Sequence, residues 1–371
     1  MNGSPAVASI GVEEEFQIVD PATRQLRQRA ARILPGAQDA AGEEVSNEMF
    51  LSQIEIGTPV CTTLAEVRAE LIRLRKAVIE AAALEGCRIA STATHPFSHW
   101  EEQRLTPKER YDTILEEFQQ LTREQIICGC HVHVGIDDPE ATIQALNRVR
   151  PWLPPILALS ANSPFWLGHD TGYASYRTEL FGRFPMTGMA GDLASKAEYD
   201  RLVASLVSTG TIADPSKLYW DVRPSMHFPT LEFRIADVCQ DLDEAVLVAG
   251  LCRALARTCV EAATRDEPSH PVRPEMLRAS KWRAARFGLD GELIDVHAER
   301  LVPAPELVET LLGFLRPALE ALGDWPEVST LARRTLERGN GAQRQRQAYA
   351  RAGRFEDVVD EIIAETHRGV A

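Results

Sequence analysis

Four short segments of the chain place acids, imidazoles or an arginine at alternate positions of an apolar run. In a β-strand, residues i and i+2 lie on the same face, so the polar side chains of each segment should project together from a sheet. Carboxylates that share a buried face need compensating charge, because an isolated buried ion is strongly destabilising. The segments are GVEEEF (11–16), SQIEIGTP (52–59), CGCHVHVG (128–135) and TLEFRIAD (230–237). Their pattern predicts a metal site built on strands.

The acidic segments offer four candidate metal ligands. Glu13 and Glu15 share one face of the first strand, with Glu14 on the other. Glu55 alternates with two isoleucines, and Glu48 lies seven positions earlier. This odd step requires a turn or bulge before both can reach one ion. Two alternatives stay open: the three consecutive glutamates also fit an exposed edge strand, and Glu48 also fits a solvated turn.

The histidine segment adds His131 and His133 on one strand face. Such pairs often only pack or form hydrogen bonds, and His-x-His also occurs in zinc hydrolases. The excess of carboxylates around the pair favours Mg²⁺ or Mn²⁺ instead, because these ions prefer oxygen ligands and Mn²⁺ tolerates an imidazole.

The last segment places Glu232 two positions before Arg234, and Arg223 lies close by in sequence. A structural ion pair is the simpler interpretation, worth only about 0–1 kcal/mol if exposed. In a metal and phosphate site, Glu232 would hold metal while the two arginines neutralise a transferred phosphoryl group.

The elements that position these residues are alternating strands and helices, followed by helices alone. Capping boxes at Thr63 and Thr106 predict helices that end near Gly86 and Arg123, and the segment 162–189 reads as a long ordered loop. We expect strands at 8–19, 46–60, 87–96 and 125–136 and around Pro224 and Pro229, and helices from Asp138, over 242–264 and 304–321, at about 326–338 and over 355–367. The pattern predicts an α+β fold and a single domain over 1–371, with the strand-rich sheet in about 6–240 and a helical part in about 241–371.

Composition narrows the class of partner. The chain has 40 Lys and Arg against 54 Asp and Glu, a net charge of −14, which argues against a nucleic-acid surface. No apolar run reaches the roughly 18 residues of a membrane span. The seven cysteines lack CxxC spacing and no leader-like segment is recognised, so we expect reduced thiols in a soluble, cytoplasmic protein.

Taken in order, the four motifs resemble those of the carboxylate-amine ligases of glutamate-cysteine ligase type 2, the YbdK-like subfamily. The resemblance extends to THPF (94–97), ERY (109–111), WRAARFGLDG (282–291) and GAQRQR (341–346). It implies the fold of the glutamine synthetase catalytic domain, in which a curved antiparallel sheet forms a funnel covered by helices. It also implies ATP with Mg²⁺ or Mn²⁺ as cofactors, small-molecule carboxylate and amine substrates, and a homodimer.

The resemblance assigns roles residue by residue. His133 and Arg234 match groups that contact the ATP phosphates and the transferred phosphate, and Gln125 matches a ligand in some relatives. Arg177 would clamp the substrate carboxylate, with Arg223 as a second guanidinium. The implied metal ligands are Glu13, Glu15, Glu48, Glu55, His131 and Glu232, with Glu13, His131 and Glu232 at one ion and Glu15 and Glu55 at another.

The implied reaction is ATP-dependent amide formation through an acyl phosphate, with glutamate and cysteine as candidate substrates. Other readings of the same residues are a metal-dependent hydrolase, a phosphotransferase acting on a small molecule, and a non-catalytic nucleotide-binding relative. A hydrolase would turn over without nucleotide, whereas a non-catalytic relative would bind nucleotide without forming ADP.

Overall fold

A computed structural model describes residues 7, 9–269 and 271–370. Its strands are β1 (Ile10–Val19), β2 (Val45–Asn47), β3 (Gln53–Gly57), β4 (Arg88–Ala90), β5 (Gly129–Gly135), β6 (Phe165–Trp166), β7 (His169–Asp170), β8 (Thr187–Gly188), β9 (Tyr219–Trp220), β10 (Val222–Pro224), β11 (Thr230–Asp237), β12 (Glu292–Asp295) and β13 (Arg300–Pro303). Its helices are α1 (Ala30–Ala41), α2 (Leu64–Leu84), α3 (Glu109–Phe118), α4 (Gln120–Arg123), α5 (Pro139–Val149), α6 (Leu153–Ser160), α7 (Tyr176–Phe181), α8 (Lys196–Ser208), α9 (Leu242–Thr264), α10 (Pro274–Phe287), α11 (Ala304–Leu322), α12 (Trp325–Arg338), α13 (Gly341–Ala352) and α14 (Phe355–His367).

The main sheet of the described chain is antiparallel and runs in the order β10-β11-β5-β1-β3-β2, with β4 also pairing with β1. Its register sets Glu15 opposite Glu55 and Glu13 opposite His131. On the next strand, Glu232 lies opposite His133. Side chains directly opposite on one face are about 4.5–5.5 Å apart at Cβ, so the register brings the candidate residues together.

The segment expected as one strand over 46–60 is a hairpin. β2 and β3 are joined by residues 48–52, whose turn is at 51–52, directly before β3. Glu48 is the first residue of this connection, so the chain reverses between Glu48 and Glu55, as their odd spacing requires.

The first predicted helix cap is present and the second is not. Thr63 Oγ1 accepts a hydrogen bond from Glu66 N at 3.1 Å at the start of α2. The helix predicted from Thr106 begins instead at Glu109, because the Thr106 hydroxyl donates to the Glu48 carbonyl at 2.6 Å. A left-handed Gln119 (φ 49°) then divides the predicted helix into α3 and α4.

The C-terminal part contains more than the expected helices. The helices predicted near 242–264, 304–321, 326–338 and 355–367 are all present, whereas α10, α13 and the β12–β13 hairpin were not predicted. The segment 162–189 is also not a simple loop, because it contains α7. None of the described helices is both long and apolar enough to cross a membrane.

The back of β1 is held by a buried ion pair. Glu14 and Arg75 of α2 have fully buried side chains and form two hydrogen bonds, at 2.8 and 2.6 Å. Arg75 also donates to the Cys239 carbonyl and lies 5.4 Å from the centre of the Phe16 ring. Glu14 is thus satisfied behind the sheet, while Glu13 and Glu15 occupy the opposite face.

Removing one partner of this pair should destabilise the fold strongly. Arg75→Met leaves the Glu14 carboxylate buried without a counter-charge, so we expect the free energy of unfolding to fall by about 3–5 kcal/mol. Lys76→Met is the matched control, because Lys76 is the neighbouring residue of α2 and its pair with Glu80 is exposed. The control should lose less than about 0.5 kcal/mol in the same denaturant titration. Equal losses in the two variants would contradict this account.

Candidate active site

One cavity of about 370 Å³ covers the face of the sheet that carries Glu13 and Glu15. Every candidate site residue of the sequence analysis lines it: Glu13, Glu15, Glu48, Glu55, Gln125, His131, His133, Arg177, Arg223, Glu232 and Arg234. Strands β1, β3, β5, β10 and β11 supply most of them, whereas Glu48 comes from the β2–β3 connection and Arg177 from α7.

Two groups of side chains within this cavity could each hold a cation. Glu13, Glu55 and His131 form one group, and Glu15, Glu48 and Glu55 form the other, with the ligand atoms of each group within 4.8 Å of one another. Glu55 belongs to both. The donors are mostly carboxylate oxygens, which suits Mg²⁺ or Mn²⁺.

The protonation of the acids reflects their crowding. Burial, followed by repulsion from Glu48, raises the pKa of Glu15 to about 8. Burial and the neighbouring acids Glu48, Glu13 and Glu15 raise the pKa of Glu55 well above its ordinary value. Repulsion of this kind is what a bound cation would relieve, so the electrostatics of the cluster fit a metal site.

Glu13 differs because both imidazoles approach it. Its carboxylate lies 3.3 Å from His131 Nδ1 and 3.3 Å from His133 Nε2. Although burial opposes the effect, these histidines hold the pKa of Glu13 well below its ordinary value. Burial, with Arg234 nearby, lowers the pKa of His131 to about 4, so this imidazole is neutral at pH 7.

A neutral His131 that donates from Nδ1 to Glu13 has a lone pair left on Nε2. This atom is buried, has no hydrogen-bond partner among the described residues and lies 3.9 Å from Glu15 Oε1. A buried nitrogen without a partner that points into an acidic cluster is a suitable metal ligand.

Glu232 lies outside both groups because arginines occupy its oxygens. Arg223 binds it through two hydrogen bonds, at 2.8 and 3.1 Å, and Arg234 donates to the same carboxylate. Burial would raise the pKa of Glu232, but Arg234 and Arg223 outweigh it and hold this pKa far below the ordinary value. The register of β11 against β5 shifts between Phe233 and Ala236, as at a β-bulge, and Arg234 lies in this irregular part of the strand.

Arg177 is buried and only loosely paired. Its Nη1 lies 3.9 Å from an oxygen of Asp237, whose oxygens already accept hydrogen bonds from Asn162 N and from the hydroxyls of Ser163 and Ser175. Its Nε has no partner among the described residues. The guanidinium therefore retains donors for a ligand in the cavity.

Gly129 makes room for this arginine. A Cβ atom at residue 129 would lie 2.4 Å from Arg177 Nη2 and 3.0 Å from His131 Nε2. The backbone N–H of Gly129 also donates to Glu15 at 2.6 Å. Gln125 lies nearby in the cavity wall, where Nε2 donates to the Leu180 carbonyl and Oε1 has no described partner.

The sequence analysis did not assign a role to several residues that line the cavity from outside the main sheet. Lys108, Arg110 and Tyr111 of the α3 region line it, as do Phe181 and Tyr219. Burial and the nearby Glu48 raise the pKa of Tyr111. The ERY motif at 109–111 was part of the family resemblance. The resemblance therefore indicated these positions, but the residue types alone did not indicate a function for them.

Comparisons with known proteins find a family and named relatives over nearly the whole chain. Residues 9–361 match the sequence profile of Glutamate-cysteine ligase family 2 (GCS2). A protein of Frankia alni named "Putative glutamate--cysteine ligase 2-2" is 45% identical over 97% of each chain. A protein of Solibacter usitatus named "Putative glutamate--cysteine ligase 2" is 40% identical over 98% of this chain and 94% of its own.

Solved structures show the same fold at low identity. Glutamate–cysteine ligase of Francisella tularensis, in complex with AMP, has a TM-score of 0.71 at 12% identity and covers 99% of this chain and 91% of its own. The bifunctional glutathione synthetase of Pasteurella multocida has a TM-score of 0.70 at 16% identity, and this chain spans 52% of its length. The predicted fold class, a mixed helix and antiparallel-sheet ligase fold, is confirmed.

The raised pKa of Glu15 gives a pH-dependent response to metal. Between about pH 4.5 and 8, the metal-free folded chain holds a proton on Glu15 that the unfolded chain has lost, so this group makes the folded state less favourable as pH rises. A cation must displace that proton, and its binding therefore strengthens with pH. We expect saturating MgCl₂ to raise the Tm more at about pH 8.5 than at about pH 6.5.

Thermal unfolding with and without MgCl₂ at both pH values checks this expectation. Glu15→Gln is the matched variant, because it keeps the shape of the side chain and removes one titrating proton. It should reduce the difference, and the raised pKa of Glu55 should account for what remains. The same Mg²⁺-induced shift at both pH values in the unsubstituted protein would contradict the site.

Proposed function

The chain belongs to glutamate-cysteine ligase family 2 and is an ATP-dependent carboxylate-amine ligase, and from this premise we propose that it forms an amide through an acyl phosphate. A carboxylate oxygen takes the γ-phosphoryl group of ATP and ADP leaves. The amine nitrogen then attacks the acyl carbon, phosphate leaves and the nitrogen loses a proton. The proposal is supported above all by one cavity that joins a carboxylate-rich cation site to several arginines.

The acids and His131 are proposed to hold Mg²⁺ or Mn²⁺ through the two groups described above. When bound, such a cation neutralises charge on the phosphate oxygens. Glu232 would join the first ion after exchanging part of its arginine contacts. This exchange would free guanidinium donors of Arg223 and Arg234 for the phosphoryl group.

The remaining residues position the substrates. His133 lies beside Glu13 with Nε2 outside hydrogen-bonding geometry, and we propose that it contacts the ATP phosphates together with Arg234. Gln125 has an unpartnered acceptor, Oε1, and we propose that this residue also contacts the bound nucleotide. Arg177, with donors to spare, would clamp the carboxylate substrate and hold it in line with the transferred group.

Glutamate and cysteine are the proposed substrates, since relatives across most of the chain carry these names. We further propose that the chain works as a single domain, as a homodimer and in the cytoplasm. The last proposal agrees with seven cysteines that are all free and buried.

An ADP-release screen tests the reaction. Glutamate and other carboxylates are each combined with cysteine and other amines, with MgCl₂ or MnCl₂ present. ADP formation that requires both substrates, with amide detected by mass spectrometry, is the expected result. Turnover without nucleotide would indicate a hydrolase, and ADP release without an amine requirement would indicate a phosphotransferase. Nucleotide binding with no ADP across the panel would indicate a non-catalytic protein.

The acid cluster should be essential to this activity but not to folding. Glu15→Gln removes a charge from the proposed cation site, and we expect ADP release to fall by at least about 10²-fold. Glu43→Gln is the control, because Glu43 is an exposed acid in the chain that leads to β2. Full activity of a folded Glu15→Gln protein would remove Glu15 from the proposed ligand set.

The space beside Gly129 should control binding of the carboxylate. In Gly129→Ala, the new methyl group displaces the Arg177 guanidinium, so we expect the KM for the carboxylate substrate to rise about 10-fold or more, with a smaller change in the KM for ATP. Gly191→Ala is the control, since a Cβ there meets nothing within 4 Å among the described atoms. Equal changes in the two KM values would instead indicate general damage to β5.

A further inference from the structure

A second cavity, of about 790 Å³, lies on the other side of α7 from the proposed active site. Its walls are the outer side of α7, the segment 187–189 and one face of α10. Helix α7 has six residues, and it presents Arg177 and Phe181 to the first cavity but Thr178 and Glu179 to the second. The proposed ligase chemistry uses no residue of this second cavity.

Glu179 is an acid without a partner in this cavity. It is half-buried, and its side chain forms no hydrogen bond or ion pair with any described residue. Lys281 faces the same space, but its Nζ is committed to both oxygens of the buried Asp221, at 2.6 and 2.8 Å. Burial raises the pKa of Glu179, and the positive charge of Lys281 offsets this only in part.

The surfaces around Glu179 suit a small cation with an apolar body. The Trp282 ring is 43% exposed and lines the cavity, and its Nε1 donates to the Tyr173 hydroxyl. An indole face beside a carboxylate is a common arrangement for binding an ammonium group. Met189 and Leu277 add apolar surface.

Arg278 supplies the opposite charge. It is exposed and lines the same cavity, and its side chain makes no hydrogen bond or ion pair with any described residue. Glu275, an exposed acid that also lines the cavity, pairs with Arg273 at 3.3 Å and is attracted by Arg278 as well. An acid and a guanidinium whose side chains lack a hydrogen-bonded partner in one cavity match a ligand that carries both an ammonium and a carboxylate. The volume is within the range of small-molecule sites.

We propose that this cavity binds a free amino acid with an apolar side chain. Its ammonium group lies at Glu179 and against Trp282, its carboxylate at Arg278, and its side chain against Met189 and Leu277. The site is distinct from the ligase cavity and does not depend on the proposed reaction.

Calorimetric titration without ATP tests the site with L-leucine, L-methionine and L-phenylalanine as probes. Isocaproate lacks the ammonium group of leucine and isoamylamine lacks its carboxylate, so both should bind more weakly than leucine. Glu179→Gln should weaken amino-acid binding at least about 10-fold. Arg278→Gln should also weaken it. Arg278 is exposed, so this second variant keeps the test decisive if Glu179→Gln fails to fold.

Glu55→Gln separates this site from the ligase cavity. Amino-acid binding should be retained in that variant, because Glu55 lines only the first cavity. The proposal is overturned if none of the three probes binds the unsubstituted protein, if Glu179→Gln and Arg278→Gln both bind normally, or if Glu55→Gln abolishes the binding. Each of these outcomes can occur whether or not the protein releases ADP.

Discussion

Repulsion between carboxylates that share one face of the sheet is the constraint on which the rest of the structure depends. The register of β1 against β3 and β5 sets Glu13, Glu15 and Glu55 side by side, and the β2–β3 connection adds Glu48. These groups cannot all be ionised at such distances in a buried site unless a cation is bound, and without a cation some of them must be protonated. Because these carboxylates repel one another, other contacts of the fold must stabilise their positions.

The buried acids on the two faces of β1 are stabilised by different contacts. On the back face, Glu14 has a permanent partner in Arg75, with both side chains fully buried. On the front face, His131 donates a hydrogen bond to Glu13, and Glu15 accepts one from the backbone N–H of Gly129. The back-face pair fixes the strand, whereas the front-face acids remain available to a ligand.

Much of the site follows from strand periodicity. Alternation placed Glu13, Glu15, His131 and His133 on common faces, and the odd step from Glu48 to Glu55 required the turn that is observed. Periodicity could not find α3's Arg110 and Tyr111, because their place in the cavity depends on how a helix folds back over the sheet. Periodicity also did not predict α13, because its sequence is mostly polar and lacks a clear apolar repeat. Asn340 and Gln343 form a capping box at its start.

The connection that carries Glu48 is joined to the chain leading into α3. Thr106 donates from its hydroxyl to the Glu48 carbonyl and from its N–H to the Met49 carbonyl, and Leu51 N donates to the Arg104 carbonyl. Because α3 starts three residues after Thr106, these hydrogen bonds connect α3, which lines the cavity, to the segment that carries Glu48. A movement of α3 that kept these hydrogen bonds would also move Glu48, so the position of α3 is coupled to the completeness of the acid cluster.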